Sequence, residues 1–155
     1  MKQYKIFILA LVALLFLMVG CGGNSEPVPN IQIDNWNENI VTQNVGKKIL
    51  LVFCSTTCAP CQQELPVIQQ LADKKIEDVV ILAIARGQMS DIKKIAAKYS
   101  FKFLADSTDE AIDKYKVTGL PTNVFLDRQG KESLRKVGFN NETPDDYIAL
   151  LNKIP

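Results

Sequence analysis

The chain has 155 residues, 18 basic and 17 acidic side chains, and 47% hydrophobic residues, enough for one domain with a sizeable core. A formal net charge of +1 gives no electrostatic basis for binding nucleic acid. With no histidine, the chain cannot use Ser-His-Asp or Cys-His catalysis, a histidine general base or a histidine-dependent zinc site.

Residues 1–20 read as a targeting segment outside the fold. Lys2 and Lys5 make a basic start, and 6–19 is a nearly unbroken apolar run, shorter than the roughly 20 residues of a comfortable spanning helix. Leu17-Met18-Val19-Gly20-Cys21, followed by Gly22-Gly23-Asn24-Ser25, resembles a bacterial lipoprotein signal. The resemblance implies that Cys21 is diacylated and becomes the first mature residue; two acyl chains suffice for stable anchoring. An uncleaved anchor ending in an ordinary cysteine is the alternative. Losing 1–20 removes two lysines and no acid, which leaves 16 basic and 17 acidic residues. Residues 21–30, with Pro27 and Pro29, read as the acylated terminus and tether of a domain spanning 31–155.

Residues 31–45 are ambiguous: Ile31-Gln32-Ile33 hints at a short strand, and Trp36 suits a core edge. The apolar run 48–53 fits a strand buried on both faces. A helix is predicted over 59–74, with Leu65, Ile68, Leu71 and Ala72 on one face and a kink at Pro66. A strand over 78–85 follows, then a helix capped by Ser90 or Asp91 whose face holds Ile92, Ile95, Ala96 and Tyr99. Residues 101–104 suit a short strand, and Thr108-Asp109-Glu110 opens a brief helix. Residues 123–126 read as a strand, Asp127-Arg128-Gln129-Gly130 as a hairpin turn and 131–137 as the return strand. Thr143 and Pro144 begin a last helix, with proline at its first position. The order predicts an α/β fold, a central mixed sheet with helices on both faces.

Four cysteines are present: Cys21, Cys54, Cys58 and Cys61. Cys58-Ala59-Pro60-Cys61 places two thiols at i and i+3 on a predicted helix start. Such a pair closes a disulfide without dragging the backbone, and unpaired helix N–H groups favour the first sulfur as thiolate. This suits reversible two-electron exchange. A structural disulfide and a metal dithiolate are the competing readings. Cys58 is the expected nucleophile and Cys61 the more shielded resolving thiol. Pro60 stiffens the turn. Cys54, near the end of the first core strand, reads as a small buried hydrophobe; an alternative Cys54–Cys58 pair is the sharper option. Glu64 is a candidate proton acceptor or a helix-face ion-pair partner, and otherwise a structural or solvated carboxylate. Lys48 and Lys93–Lys94 read as solvated charges, and Gly138 as a site near the active face where no side chain fits, or a simple turn glycine.

The stretch Leu51-Val52-Phe53-Cys54-Ser55-Thr56-Thr57-Cys58-Ala59-Pro60-Cys61-Gln62-Gln63-Glu64-Leu65-Pro66, with Gly119-Leu120-Pro121-Thr122 about sixty residues later, resembles the thioredoxin superfamily. It is most similar to membrane-tethered thiol–disulfide oxidoreductases of the extracytoplasmic TlpA/ResA type. The likeness covers about residues 45–152. It implies a thioredoxin-like fold and exchange of a Cys58–Cys61 dithiol with protein disulfides. It also implies a cis bond before Pro121 and a Leu120 backbone free to pair with an extended substrate segment. The expected direction is reduction of a protein or apocytochrome-like disulfide, with electrons from a membrane thiol reductase. No cofactor or metal is called for, and the expected place is the cell envelope, lipid-anchored on the extracytoplasmic side. Cys54 and Thr57 stand where the family often has Trp, Ala59 replaces Pro, and Gln62 replaces a basic residue. The buried acid of thioredoxin itself would be Val52 here, and Ala85-Arg86-Gly87-Gln88 offers no match to the glutamate expected after the second main strand.

Three other functions compete. A copper-delivery protein would use Cys54-x3-Cys58 but also needs a histidine. A peroxide-reducing enzyme needs Pro-x3-Thr-x2-Cys, where this chain has Leu51 and Ser55 before Cys58, or Cys54 and Cys58 before Cys61. A non-enzymatic binding domain would carry a dithiol that never cycles.

Overall fold

The computed structural model describes residues 34–35 and 39–155. The predicted signal, Cys21, the tether, the 31–33 strand and Trp36 lie outside the described residues. Among the described residues no helix is long and apolar enough to cross a membrane.

The first core strand, β2 (Lys48–Ser55), is buried from Ile49 to Cys54. This is what its continuous apolar run requires of a strand covered on both faces. It lies at the centre of a six-stranded sheet with β1 (Asp34–Asn35), β3 (Val79–Arg86), β4 (Lys102–Ala105), β5 (Thr122–Leu126) and β6 (Glu132–Val137), in the order β1-β4-β3-β2-β5-β6. The pairs β1–β4, β4–β3 and β3–β2 are parallel, while β2–β5 and β5–β6 are antiparallel. The predicted mixed sheet is thus present.

Strict alternation along β2 divides the core. Leu50, Val52 and Cys54 pack with the apolar faces of α2 (Ala59–Asp73), α3 (Met89–Ala96) and α5 (Pro144–Leu151). Ile49, Leu51 and Phe53 pack on the other face with α1 (Asn39–Thr42) and α4 (Glu110–Lys114). The sheet is therefore flanked on both sides, as in the thioredoxin-like fold.

Helix α2 runs from Ala59 to Asp73 as one element with Pro66 inside it. Some local expectations need correction. Helix α3 starts at Met89 with Gln88 at its cap position, and Ser90 and Asp91 fall inside it. Lys48 is no solvated charge: its Nζ donates to the carbonyls of Leu151 at 3.0 Å and Ile154 at 2.6 Å, at the end of α5. That helix opens as predicted. Thr143 N and Oγ1 both donate to Asp146 Oδ2 at 2.8 Å, which closes a capping box. Gln129 N and Lys131 N each donate to Asp127 Oδ1 at 2.9 Å and tighten the β5–β6 hairpin.

Candidate active site

Where β2 leaves the sheet the chain makes a hydrogen-bonded turn before α2. Cys58 N donates to Ser55 O at 3.2 Å, Thr56 N to Arg86 O at 3.1 Å, and Gln62 Nε2 to Thr56 O at 2.9 Å. Cys58 has extended backbone (φ −85°, ψ 110°) and is the N-cap of α2. Its Sγ accepts from Cys61 N at 3.2 Å, one of the donors a helix start leaves unpaired. Pro60 lies in the first turn, where its missing N–H costs nothing. Cys58 and Cys61 are joined as a disulfide with Cα atoms 5.3 Å apart. Ala59 and Pro60 are exposed, Cys58 is half-buried and Cys61 fully buried. An incoming group therefore reaches Cys58 first.

Gly87, at the end of β3, faces this turn. Its φ is +144°, and a Cβ there would collide with Thr56 Oγ1. Gly87→Ala combines that clash with a backbone region L residues avoid. It is expected to cost about 1–3 kcal/mol in denaturant unfolding and to loosen the turn that presents Cys58.

The Leu120–Pro121 peptide is cis. Thr122 opens β5 opposite Phe53 near the end of β2, so the proline loop lies at the end of the sheet from which the dithiol turn departs. Gly138 N donates to Pro121 O at 2.7 Å, and Thr122 Oγ1 to Gly119 O at 2.7 Å. Pro121 is buried and Leu120 half-buried against both halves of the core. The crowding reading of Gly138 is corrected: nothing lies within 4 Å of a Cβ built there. Its φ of +80° is what favours glycine.

Glu64 is neither solvated nor ion-paired on the helix face. It is fully buried one turn beyond Cys61, on the inward stripe of α2. Oε1 accepts from Asn123 Nδ2 at 2.6 Å and from Tyr147 Oη. Burial raises its pKa above the ordinary carboxyl range, against the pull of both hydrogen bonds and of Lys136. Sequence reasoning looked for the family's buried acid at Val52 and in 85–88; the buried acid observed beside the dithiol helix start is Glu64. It also missed Asn123 and Tyr147 as its partners. An asparagine within an otherwise apolar strand, on the same side as Phe125, was the available signal.

Cys54 is a free, buried thiol. Burial, and then the neighbouring Glu64, push its pKa up to about 12, so it is uncharged and chemically quiet. Among the described residues no group of three or more His, Cys, Asp or Glu is placed to hold a metal ion.

The AhpC/TSA family model matches residues 25–132. The thiol-disulfide oxidoreductase ResA of Geobacillus thermodenitrificans is 26% identical over 174 residues, covering 99% of each chain. ResA of Geobacillus kaustophilus is 30% identical over 122 residues, covering 76% of this chain and 69% of the relative. The crystal structure of StoA from Bacillus subtilis superposes with a TM-score of 0.59 at 25% identity, over 66% of this chain and 80% of that one.

Proposed function

We propose, for a chain that belongs to the AhpC/TSA family and is a thioredoxin-fold oxidoreductase related to ResA, that Cys58 and Cys61 exchange a dithiol for a disulfide with extracytoplasmic protein substrates, as reductant. The observation carrying this reading is the Cys58–Cys61 disulfide at the start of α2, with one sulfur half-buried and the other sealed. In the reduced protein the Cys58 thiolate attacks a substrate disulfide; one substrate thiolate leaves and a mixed disulfide forms. Cys61 then loses its proton and attacks Cys58 Sγ, which releases the second substrate thiolate. Two electrons pass from protein to substrate. Glu64, one helical turn from Cys61, takes the proton that Cys61 gives up.

Pro60, Leu120 and Pro121 form the wall against which an extended substrate segment docks, with the Leu120 backbone pairing as a short added strand. An apocytochrome-like disulfide fits this description, and a membrane thiol reductase returns the electrons. Cys21, diacylated after signal removal, tethers the domain to the extracytoplasmic side of the membrane. The peroxide-reducing frame lacks both its proline and its threonine before Cys58, and the copper reading needs Cys54, which is sealed in the core.

The test is Cys61→Ser in the native envelope. Without a resolving thiol the variant is expected to accumulate covalent adducts at Cys58 that a reductant releases, and the trapped proteins identify the substrate class. Normal turnover with no adduct would sink the assignment.

A further inference from the structure

Beneath the disulfide lies a buried polar pair that is only half satisfied. Glu64 and Asn123 are both fully buried. Asn123 Nδ2 donates to Glu64 Oε1 at 2.6 Å, and Tyr147 Oη donates to that same oxygen. The remaining two polar atoms, Glu64 Oε2 and Asn123 Oδ1, have no partner. If the carboxyl is ionised, both are acceptors facing no donor. Each such atom costs about 1–3 kcal/mol, and more when charged. A hydrogen on Glu64 Oε2 would leave one donor and one acceptor where there are now two unpaired acceptors. Placed on Oε2, it turns that oxygen into a donor, and Asn123 Oδ1 is the acceptor the amide has to spare.

We propose that Asn123 is a positioning residue that holds Glu64 as the neutral acid in the disulfide form, through a two-bond acid–amide ring: Oε2–H donates to Oδ1 and Nδ2–H donates to Oε1. The ring rests on the oxidoreductase reading for its purpose and deepens it, because the stored proton sits one turn along α2 from Cys61. When an incoming thiolate attacks Cys58 Sγ and the S–S bond breaks, Cys61 leaves as thiolate. Glu64 gives it the Oε2 proton and becomes the carboxylate, so the negative charge carried in by the thiolate ends on Glu64.

The surroundings favour the neutral acid. Cys54, from β2, is an uncharged thiol. Tyr147, from α5, is held as the neutral phenol by burial and by Glu64. Lys136, from β6, pulls toward the carboxylate, but it is paired with Glu142 at 2.9 Å, and Glu142 pushes the other way. Desolvation outweighs the rest.

A carboxyl whose folded pKa is raised contributes stability that is complete below its unfolded pKa and is lost as pH rises through the folded one. The oxidised protein is therefore expected to weaken as pH climbs from the ordinary carboxyl range through the raised pKa of Glu64. Glu64→Gln copies the neutral acid, with Nε2 as donor to Asn123 Oδ1 and Oε1 as acceptor. Its unfolding constant at neutral pH should be no larger than wild type, and this part of the pH dependence should disappear. An unfolding constant about tenfold or more above wild type across the whole range, roughly 1.4 kcal/mol, would overturn the ring.

Infrared difference spectra of oxidised wild type minus Glu64→Gln at neutral pH supply a direct second reading. A protonated-carboxyl C=O band is expected, and in Asn123→Leu that band should move to higher frequency because the acid O–H loses its acceptor. A carboxylate band in place of the acid band refutes the stored proton. An acid band unmoved in Asn123→Leu refutes the role of Asn123. If Asn123→Leu does not fold, the Glu64→Gln stability profile still decides. Neither measurement uses turnover, so an inactive protein with the acid band sinks the oxidoreductase reading alone, and an active one with a carboxylate sinks the ring alone.

Discussion

Cys58→Ser is expected to lower insulin-disulfide reduction, driven by a dithiol donor, by roughly 10³-fold or more, to the rate of the donor alone. A serine hydroxyl remains protonated at neutral pH, and its oxygen forms no persistent bond to sulfur in this exchange. Cys61 cannot take over, because it is fully buried in α2. Cys54 cannot either, with its pKa pushed up to about 12 and its side chain in the core. The measurement is turbidity or fluorescence of insulin reduction for wild type and variant at equal concentration. Retention of more than about a tenth of the wild-type rate, well above that ~10³-fold loss, would show that another group carries the chemistry. The contrast with Cys61→Ser is part of the expectation. That variant starts the reaction and stalls covalently, whereas Cys58→Ser never starts.

Phe53→Ala is expected to destabilise the oxidised domain by about 3–5 kcal/mol, the range for deleting a buried aromatic ring. Phe53 is fully buried on the face of the sheet opposite α2, its ring 5.4 Å from that of Tyr115. Its backbone pairs with Thr122, the residue after the cis proline. The loss is a large fraction of the 5–15 kcal/mol by which domains of this kind are stable. In thermal unfolding it should appear as a drop of roughly 10–25 °C. A shift under about 3 °C, which corresponds to less than about 1 kcal/mol, would show that α1 and α4 close over the gap.

The parts of this fold that were legible in the sequence are those whose signal is local and long. The unbroken run Ile49-Leu50-Leu51-Val52-Phe53 can satisfy water on neither face, so it reads as a central strand. The Cys58–Cys61 spacing, the proline after Thr143 and the Asp127–Gly130 turn each carry their geometry in a few adjacent residues. Helix α1 was invisible because four residues, Asn39–Thr42, are too few to show a period. The readings of Glu64 stayed open because residue type was weighed above position: it sits on the stripe that also buries Cys61, Leu65, Ile68 and Leu71. What makes that burial tolerable, Asn123 and Tyr147, lies 59 and 83 residues away. No local pattern reports such a distance. Lys48 deceived in the same way, since its acceptors stand more than a hundred residues downstream at the end of α5.

Strand β5 and the proline loop that leads into it meet the site region at two points. Pro121 immediately precedes Thr122, which pairs with Phe53 at the end of β2 from which the dithiol turn departs, and Asn123, the next residue of the strand, reaches Glu64. The β2–β5 register, with Phe53 opposite Thr122 and Val52 opposite Asn123, is therefore an alignment of chemistry as well as of backbone. A slip by one position would aim Val124 at the carboxyl and leave the amide stranded among the aliphatics of the other layer. The proposed docking wall and the proposed proton store are thus both set by a single strand pairing.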